Sequence, residues 1–204
     1  MGKDFKNLLS NKISNKKEPK DENLLRKSIE LHLQGNIKEA KESYERCINQ
    51  KLNHHVIYSN YALLLKDQGD LENAEKYIRD AINLDPKNIS YNYNLGIILK
   101  SLGKLAEAQR TFLKVLNINS NHAKTYFALT TINSKKEKIS WQKSLFSEEL
   151  LNKQNDEGKM FLHFARSNIF HNEKNYSQSS ISINLRSEEH TSELQSPMYL
   201  VCRL

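Results

Sequence analysis

The sequence predicts an all-α fold, an α-solenoid of stacked helical hairpins, on three observations. Gly35, Gly69 and Gly103 are spaced by 34 residues, and they are half of the six glycines in the chain. Ala40, Ala74 and Ala108 keep the same spacing, each five residues after its glycine. Between these markers apolar residues recur at helical intervals instead of alternating as they do in strands. A fixed period of this length marks units that bury their apolar faces only against one another.

Residues 1–20 are rich in Lys, Asn and Ser and have little to bury, so a flexible basic arm is expected there. Three regular units follow over residues 21–122, at 21–54, 55–88 and 89–122. Each reads as two amphipathic helices around a glycine turn, the second being VIYSNYALLLKDQGDLENAEKYIRDAINLDP. The glycine supplies a left-handed backbone at the turn, and the alanine lets the two helices approach closely. Asn36 and Asp70 stand where the second helix wants a capping side chain, whereas Lys104 in the third unit cannot serve.

The fourth unit, residues 123–158, opens with AKTYFALTTIN and then lacks both the glycine and the alanine. There Ser140 is expected to cap a helix running through Trp141 to about Leu151. Residues 159–185 return to the pattern, with Ser167 at a small position, Tyr176 in the turn and Ser179 where alanine would stand. They read as the first part of a truncated fifth unit, whose Phe161, Phe164, Ile169 and Phe170 would be left exposed. Residues 186–204 match nothing upstream, and RSEEHTSELQS within them resembles an in-frame translation of a constant sequencing-library adapter. That tail is expected to be an assembly artefact and disordered.

The repeated residues resemble the tetratricopeptide repeat, with its large and small pair, glycine, alanine, aromatic, alanine and proline at fixed places. The second unit supplies Tyr61-Ala62, Gly69, Ala74, Ile78, Ala81 and Pro86. The third supplies Leu95-Gly96, Gly103, Ala108, Phe112, Val115 and Ser120, and the first Lys27-Ser28, Gly35, Ala40, Tyr44, Cys47 and Leu52. Lys27 replaces the usual buried leucine, as a capping unit would, and only the second unit keeps its proline.

The resemblance implies a superhelix whose concave groove, lined by the first helix of each unit, holds an extended peptide or partner protein. Carried over position by position, it puts Ser59, Asn60, Leu63, Lys66 and Asp67 in the groove from the second unit. The third contributes Tyr93, Asn94, Ile97, Lys100 and Ser101, and the fourth Lys124, Phe127 and Thr131. Of these, Asn60, Leu63, Lys66, Tyr93, Asn94, Ile97, Lys100, Lys124 and Phe127 are the candidate peptide-binding residues. Asn60 and Asn94 fall one repeat apart, where two amides can grip a peptide backbone. Lys66, Lys100 and Lys124 can meet acidic groups. The two-carboxylate clamp of chaperone-binding arrays is not reproduced, since Leu25 precedes Arg26 and Ala128 stands in the fourth unit.

A second resemblance supplies an alternative. YNYNLGIILKSLGKLAEAQ and FLHFARSNIFHNEKNYSQSS are similar to arrays fused to bacterial sulfotransferase domains, implying a truncated substrate-recruiting region. Fusions to glycosyltransferases are the less favoured variant.

Composition narrows the classes. At 38% hydrophobic residues a deep single core is not expected, but a stack of small interfaces is. Outside the N-terminal arm the charge of +7 is scattered among acids, so nucleic acid is disfavoured as a partner. No apolar run is long enough to span a bilayer, so no membrane is expected. Cys47 and Cys202 give no disulfide framework, which suits the cytoplasm. Neither catalytic residues, cofactor nor metal site is expected, because no phosphate loop, catalytic triad or ligand spacing occurs. Cys47, at a small repeat position, reads as a buried core residue.

Overall fold

The computed structural model describes residues 20–132 and 140–189. Most of the basic arm, the linker at 133–139 and the tail from residue 190 lie outside the described residues.

The described residues form eleven helices. In chain order these are α1 (Lys20–Leu33), α2 (Ile37–Asn49), α3 (His55–Asp67), α4 (Leu71–Leu84), α5 (Ile89–Ser101) and α6 (Leu105–Ile118). The remainder are α7 (Ala123–Thr130), α8 (Ser140–Leu145), α9 (Glu148–Asn152), α10 (Asp156–Asn172) and α11 (Tyr176–Glu189). Helices α1–α2, α3–α4 and α5–α6 pair as hairpins, and the second helix of each packs on the first helix of the next. The described residues thus form an all-α solenoid, in which most contacts join helices adjacent in the chain, while α3 also reaches α5 and α10 packs on α7.

The glycines act as expected. Gly35, Gly69 and Gly103 have φ of 77°, 84° and 74°. At the middle turn the Gly69 N–H donates to the Lys66 carbonyl and the Asp70 N–H to that of Leu65, the paired bonds of a Schellman ending. The repeat positions are buried throughout: Ala40, Tyr44 and Cys47, then Ala74, Ile78 and Ala81, then Ala108, Phe112 and Val115 are all fully enclosed. Gly96 has a different reason to be glycine. A methyl group added there would overlap the Phe112 ring, so the hairpin α5–α6 closes only because the side chain is absent.

One expected cap fails. The Asp70 carboxylate accepts the Asn73 N–H at 3.3 Å, but the Asn36 side chain caps nothing and instead donates to Gln34. Backbone does not separate the two, since Asn36 at φ −78° and ψ 67° nearly matches Asp70 at φ −83° and ψ 73°.

The fourth region departs from the regular plan. The helix expected from Ser140 to about Leu151 is broken into α8 and α9 at Phe146 and Ser147, where the Ser147 hydroxyl accepts the Leu150 N–H and starts a new helix. Trp141, Leu145 and Leu150 still enter the core, with Trp141 against Tyr126 at 6.3 Å between ring centroids. Arg166 on α10 pins the break. Its guanidinium donates to the carbonyls of Leu145 at 3.0 Å and Ser147 at 3.2 Å, and it lies over the Phe146 ring.

The expected exposure of the fifth region is corrected. Phe161 is buried and Phe164, Ile169 and Phe170 are half-buried, because α10 packs directly on α7 and its rings meet Phe127 and Phe146. A second helix, α11, follows after a turn with Lys174 at φ 61°, where the other hairpins carry glycine. The bonding is the same: Lys174 N–H to His171 carbonyl and Asn175 N–H to Phe170 carbonyl. Tyr176, expected in the turn, is instead the first residue of α11. Across this hairpin the Ser167 and Ser179 hydroxyls meet at 2.9 Å, at the sites that alanine and glycine take elsewhere. Residues 186–189, set apart by sequence as adapter-like, form the end of α11.

Candidate functional site

The nine candidate residues all sit on α3, α5 and α7, the first helices of successive hairpins. All nine are half-buried, while residues that alternate with them, such as Tyr61, Leu64, Leu95, Ile98 and Tyr126, are buried. Ser59, expected beside them, is only 3% exposed and faces the core, which removes it from the set.

Their contacts run from one first helix to the next. The Tyr93 ring meets His122 at the start of α7, at 5.2 Å between centroids, and packs on Phe112. The Lys100 ammonium donates to the Thr131 hydroxyl at 3.0 Å. Phe127 lies 5.9 Å from both Phe161 and Phe164 on α10. Lys124 pairs with Glu157 at 2.7 Å and stands over the Phe161 ring. Phe161 and Phe164 therefore extend the apolar strip beyond the sequence-derived set. The signal for them was weak, because the linker breaks the 34-residue register before α10.

The two asparagines are not equivalent. Asn60 donates through Nδ2 to the Tyr44 hydroxyl at 3.2 Å, whereas the Asn94 amide has no hydrogen-bond partner among the described residues. The cause lies one helix back. Tyr44 on α2 corresponds by repeat spacing to Ile78 on α4, which has no hydroxyl to offer Asn94. Burial pushes the Tyr44 phenol up to about 12, so it stays neutral and able to accept.

The lysines differ too. Lys66 pairs with its neighbour Asp67 at 2.8 Å and Lys124 with Glu157, but Lys100 meets no carboxylate among the described residues. Burial lowers the Lys100 ammonium from its ordinary value. His122, whose Nδ1 lies 2.7 Å from the Thr125 hydroxyl, is held below the usual imidazole value by burial and then by Lys124.

The remaining reactive side chains can also be placed. Cys47 is fully buried, beside the Ser28 hydroxyl at 3.6 Å. His163 is buried and His171 stacks edge-on with Tyr176. Among the described residues no three His, Cys, Asp or Glu side chains cluster as metal ligands, and no helix is long and apolar enough to cross a membrane.

Helical hairpins joined by Schellman turns, stacked in register with small residues at the crossing points, define an α-helical repeat solenoid. Residues 22–110 carry tetratricopeptide repeats: one tetratricopeptide-repeat model matches residues 22–54 and 55–88, and a second matches 77–110. Among solved structures, a tetratricopeptide repeat protein from Parabacteroides merdae is similar at TM-score 0.63 and 19% identity, covering 83% of this chain and 66% of that one. The second TPR domain of human RPAP3, solved with the HSP70 peptide SGPTIEEVD, gives TM-score 0.51 and 26% identity over 55% of this chain and 93% of that one. The Thermobaculum terrenum O-GlcNAc transferase gives TM-score 0.51 and 18% identity, covering 70% of this chain, which spans only 25% of the transferase. No curated protein matches the sequence.

Proposed function

We propose that this chain is a binding scaffold that holds an extended peptide, or such a segment of a partner protein, along the face formed by α3, α5 and α7. The observation that carries the reading is the row of half-buried side chains Leu63, Tyr93, Ile97 and Phe127 on successive first helices, beside the unpartnered Asn94 amide. A half-buried apolar row loses more water when covered, and a free amide supplies one donor and one acceptor direction to a peptide backbone. The peptide held by the RPAP3 domain is consistent with this use of the fold.

The test begins with peptides selected from a random display library on the full chain. Asn94→Ala is expected to weaken a selected peptide about tenfold, with the helical circular dichroism unchanged. Asn60→Ala is expected to weaken it less, because that amide is already engaged by Tyr44. Peptides bound with undiminished affinity by both variants and by Phe127→Ala would remove this face as the site.

The second reading makes the array the substrate-recruiting part of a larger enzyme, of the sulfotransferase type or the less favoured glycosyltransferase type. It draws on the hairpin α10–α11, which keeps repeat geometry up to the segment where the adapter-like residues begin. Resequencing the gene across the codons for residues 180–186 tests it. A continuing frame that encodes a strand and a phosphosulfate-binding loop supports the reading, and an early stop codon removes it.

A further inference from the structure

Three stretches of the proposed binding face differ in what their polar groups are already doing. On α3, the Asn60 amide is bonded to Tyr44 and the Lys66 ammonium is paired with Asp67. On α7, Lys124 is paired with Glu157 and covers the Phe161 ring. Between them lies α5, where Lys100 has only a neutral hydroxyl and Asn94 has no partner among the described residues. Flanking these two groups are the half-buried Tyr93, Ile97 and Phe127.

We infer that the middle of this face, Asn94 and Lys100 with Tyr93, Ile97 and Phe127, is a subsite for an acidic side chain flanked by apolar ones, and that Lys100 is the residue that selects for the acid. The inference rests on the peptide-binding reading and adds to it the chemistry of the segment. A half-buried ammonium without a counter-ion favours an incoming carboxylate over a neutral side chain, since the bound state restores what partial burial removed. Burial of Lys100 acts in the same direction: its charge is poorly solvated, and the desolvation has already been incurred in the free protein. Lys66 and Lys124 offer less, because a ligand carboxylate would have to compete with Asp67 and Glu157. Extended peptides place alternate side chains on one side, so an acid with apolar residues two positions before and two positions after it presents all three to this floor at once.

Two fluorescein-labelled peptides on the full chain test this: Leu-Ser-Asp-Ser-Phe and its Leu-Ser-Asn-Ser-Phe counterpart. The unmodified protein is expected to bind the acidic peptide about tenfold more tightly, a preference that shrinks as salt is raised. Lys100→Gln, which can still reach Thr131, is expected to abolish the preference, so that the two peptides bind the variant equally. Lys100→Arg is expected to retain it. Equal affinity for the two peptides in the unmodified protein, or a preference that survives Lys100→Gln, overturns the inference while leaving the binding face intact. Failure of both peptides to bind overturns the face and the subsite together.

Discussion

Single residues set the hairpin turns, and there the sequence was legible only in part. Glycine at a 34-residue spacing announces a left-handed turn because no other residue adopts it so readily. Lys51 and Lys174 adopt the same backbone, at φ 57° and 61°, with no such signal, since lysine is common everywhere in this chain. A side chain in this region costs about 1 kcal/mol. Lys174→Gly is therefore expected to raise stability by roughly that amount, less the entropy glycine adds to the unfolded chain, as read by urea denaturation. Gly96→Ala acts the other way. Its methyl must displace the buried Phe112 ring, and a loss of about 1–3 kcal/mol is expected from the same measurement.

The half-buried histidine between α5 and α7 gives a residue-scale pH prediction. His122 is favoured as the neutral imidazole in the folded chain, mainly by burial and then by Lys124. The unfolded chain takes up a proton at about 6.5, above the folded value. Stability from this group is therefore fully present above about pH 6.5 and is lost as pH falls through that value toward the lower folded one. Thermal melts at pH 7 and pH 5 are expected to show a drop that His122→Gln makes smaller.

At the scale of elements, regular hairpins were readable and the irregular one was not. Periodicity identifies α1 to α6 because small and large residues recur where helices cross, and the structure buries those positions except Lys27 of the first unit. The break between α8 and α9 follows from one side chain far along the sequence. Arg166 supplies the donors that the Leu145 and Ser147 carbonyls would lack at the break, and nothing in a run such as FARSNIF announces that role. Arg166→Ala is expected to cost about 1–3 kcal/mol, because it leaves those carbonyls without a donor. A cost near zero in chemical denaturation would show that water replaces the guanidinium there.

The candidate face was legible in position more than in use. Repeat spacing put nine side chains on the first helices, but it treated Asn60 and Asn94 as equal rungs. Their difference comes from the residue opposite, tyrosine on α2 and isoleucine on α4, a relation between units that the period itself hides. Likewise the pairing of Lys66 and Lys124, but not Lys100, depends on which acids the neighbouring helices bring near.

For the whole molecule, stacking makes each interface modest and the exposed face long. Most contacts join helices adjacent in the chain, so stability accumulates along the array, and the first helices also touch one another, α3 at α5 and α7 at α10. A peptide lying along that surface would touch α3, α5 and α7 at once, which no single hairpin could offer. The second helices α4 and α6 carry a different chemistry, the ion pairs of Arg79 with Glu75 and Glu107, which leave little for a ligand. The most direct measurement is a backbone amide NMR titration of the full chain with a display-selected peptide. Shifts concentrated at Leu63, Asn94, Ile97, Lys100 and Phe127 are predicted; shifts centred on Glu75, Arg79 and Glu107, with the first helices silent, would contradict the account.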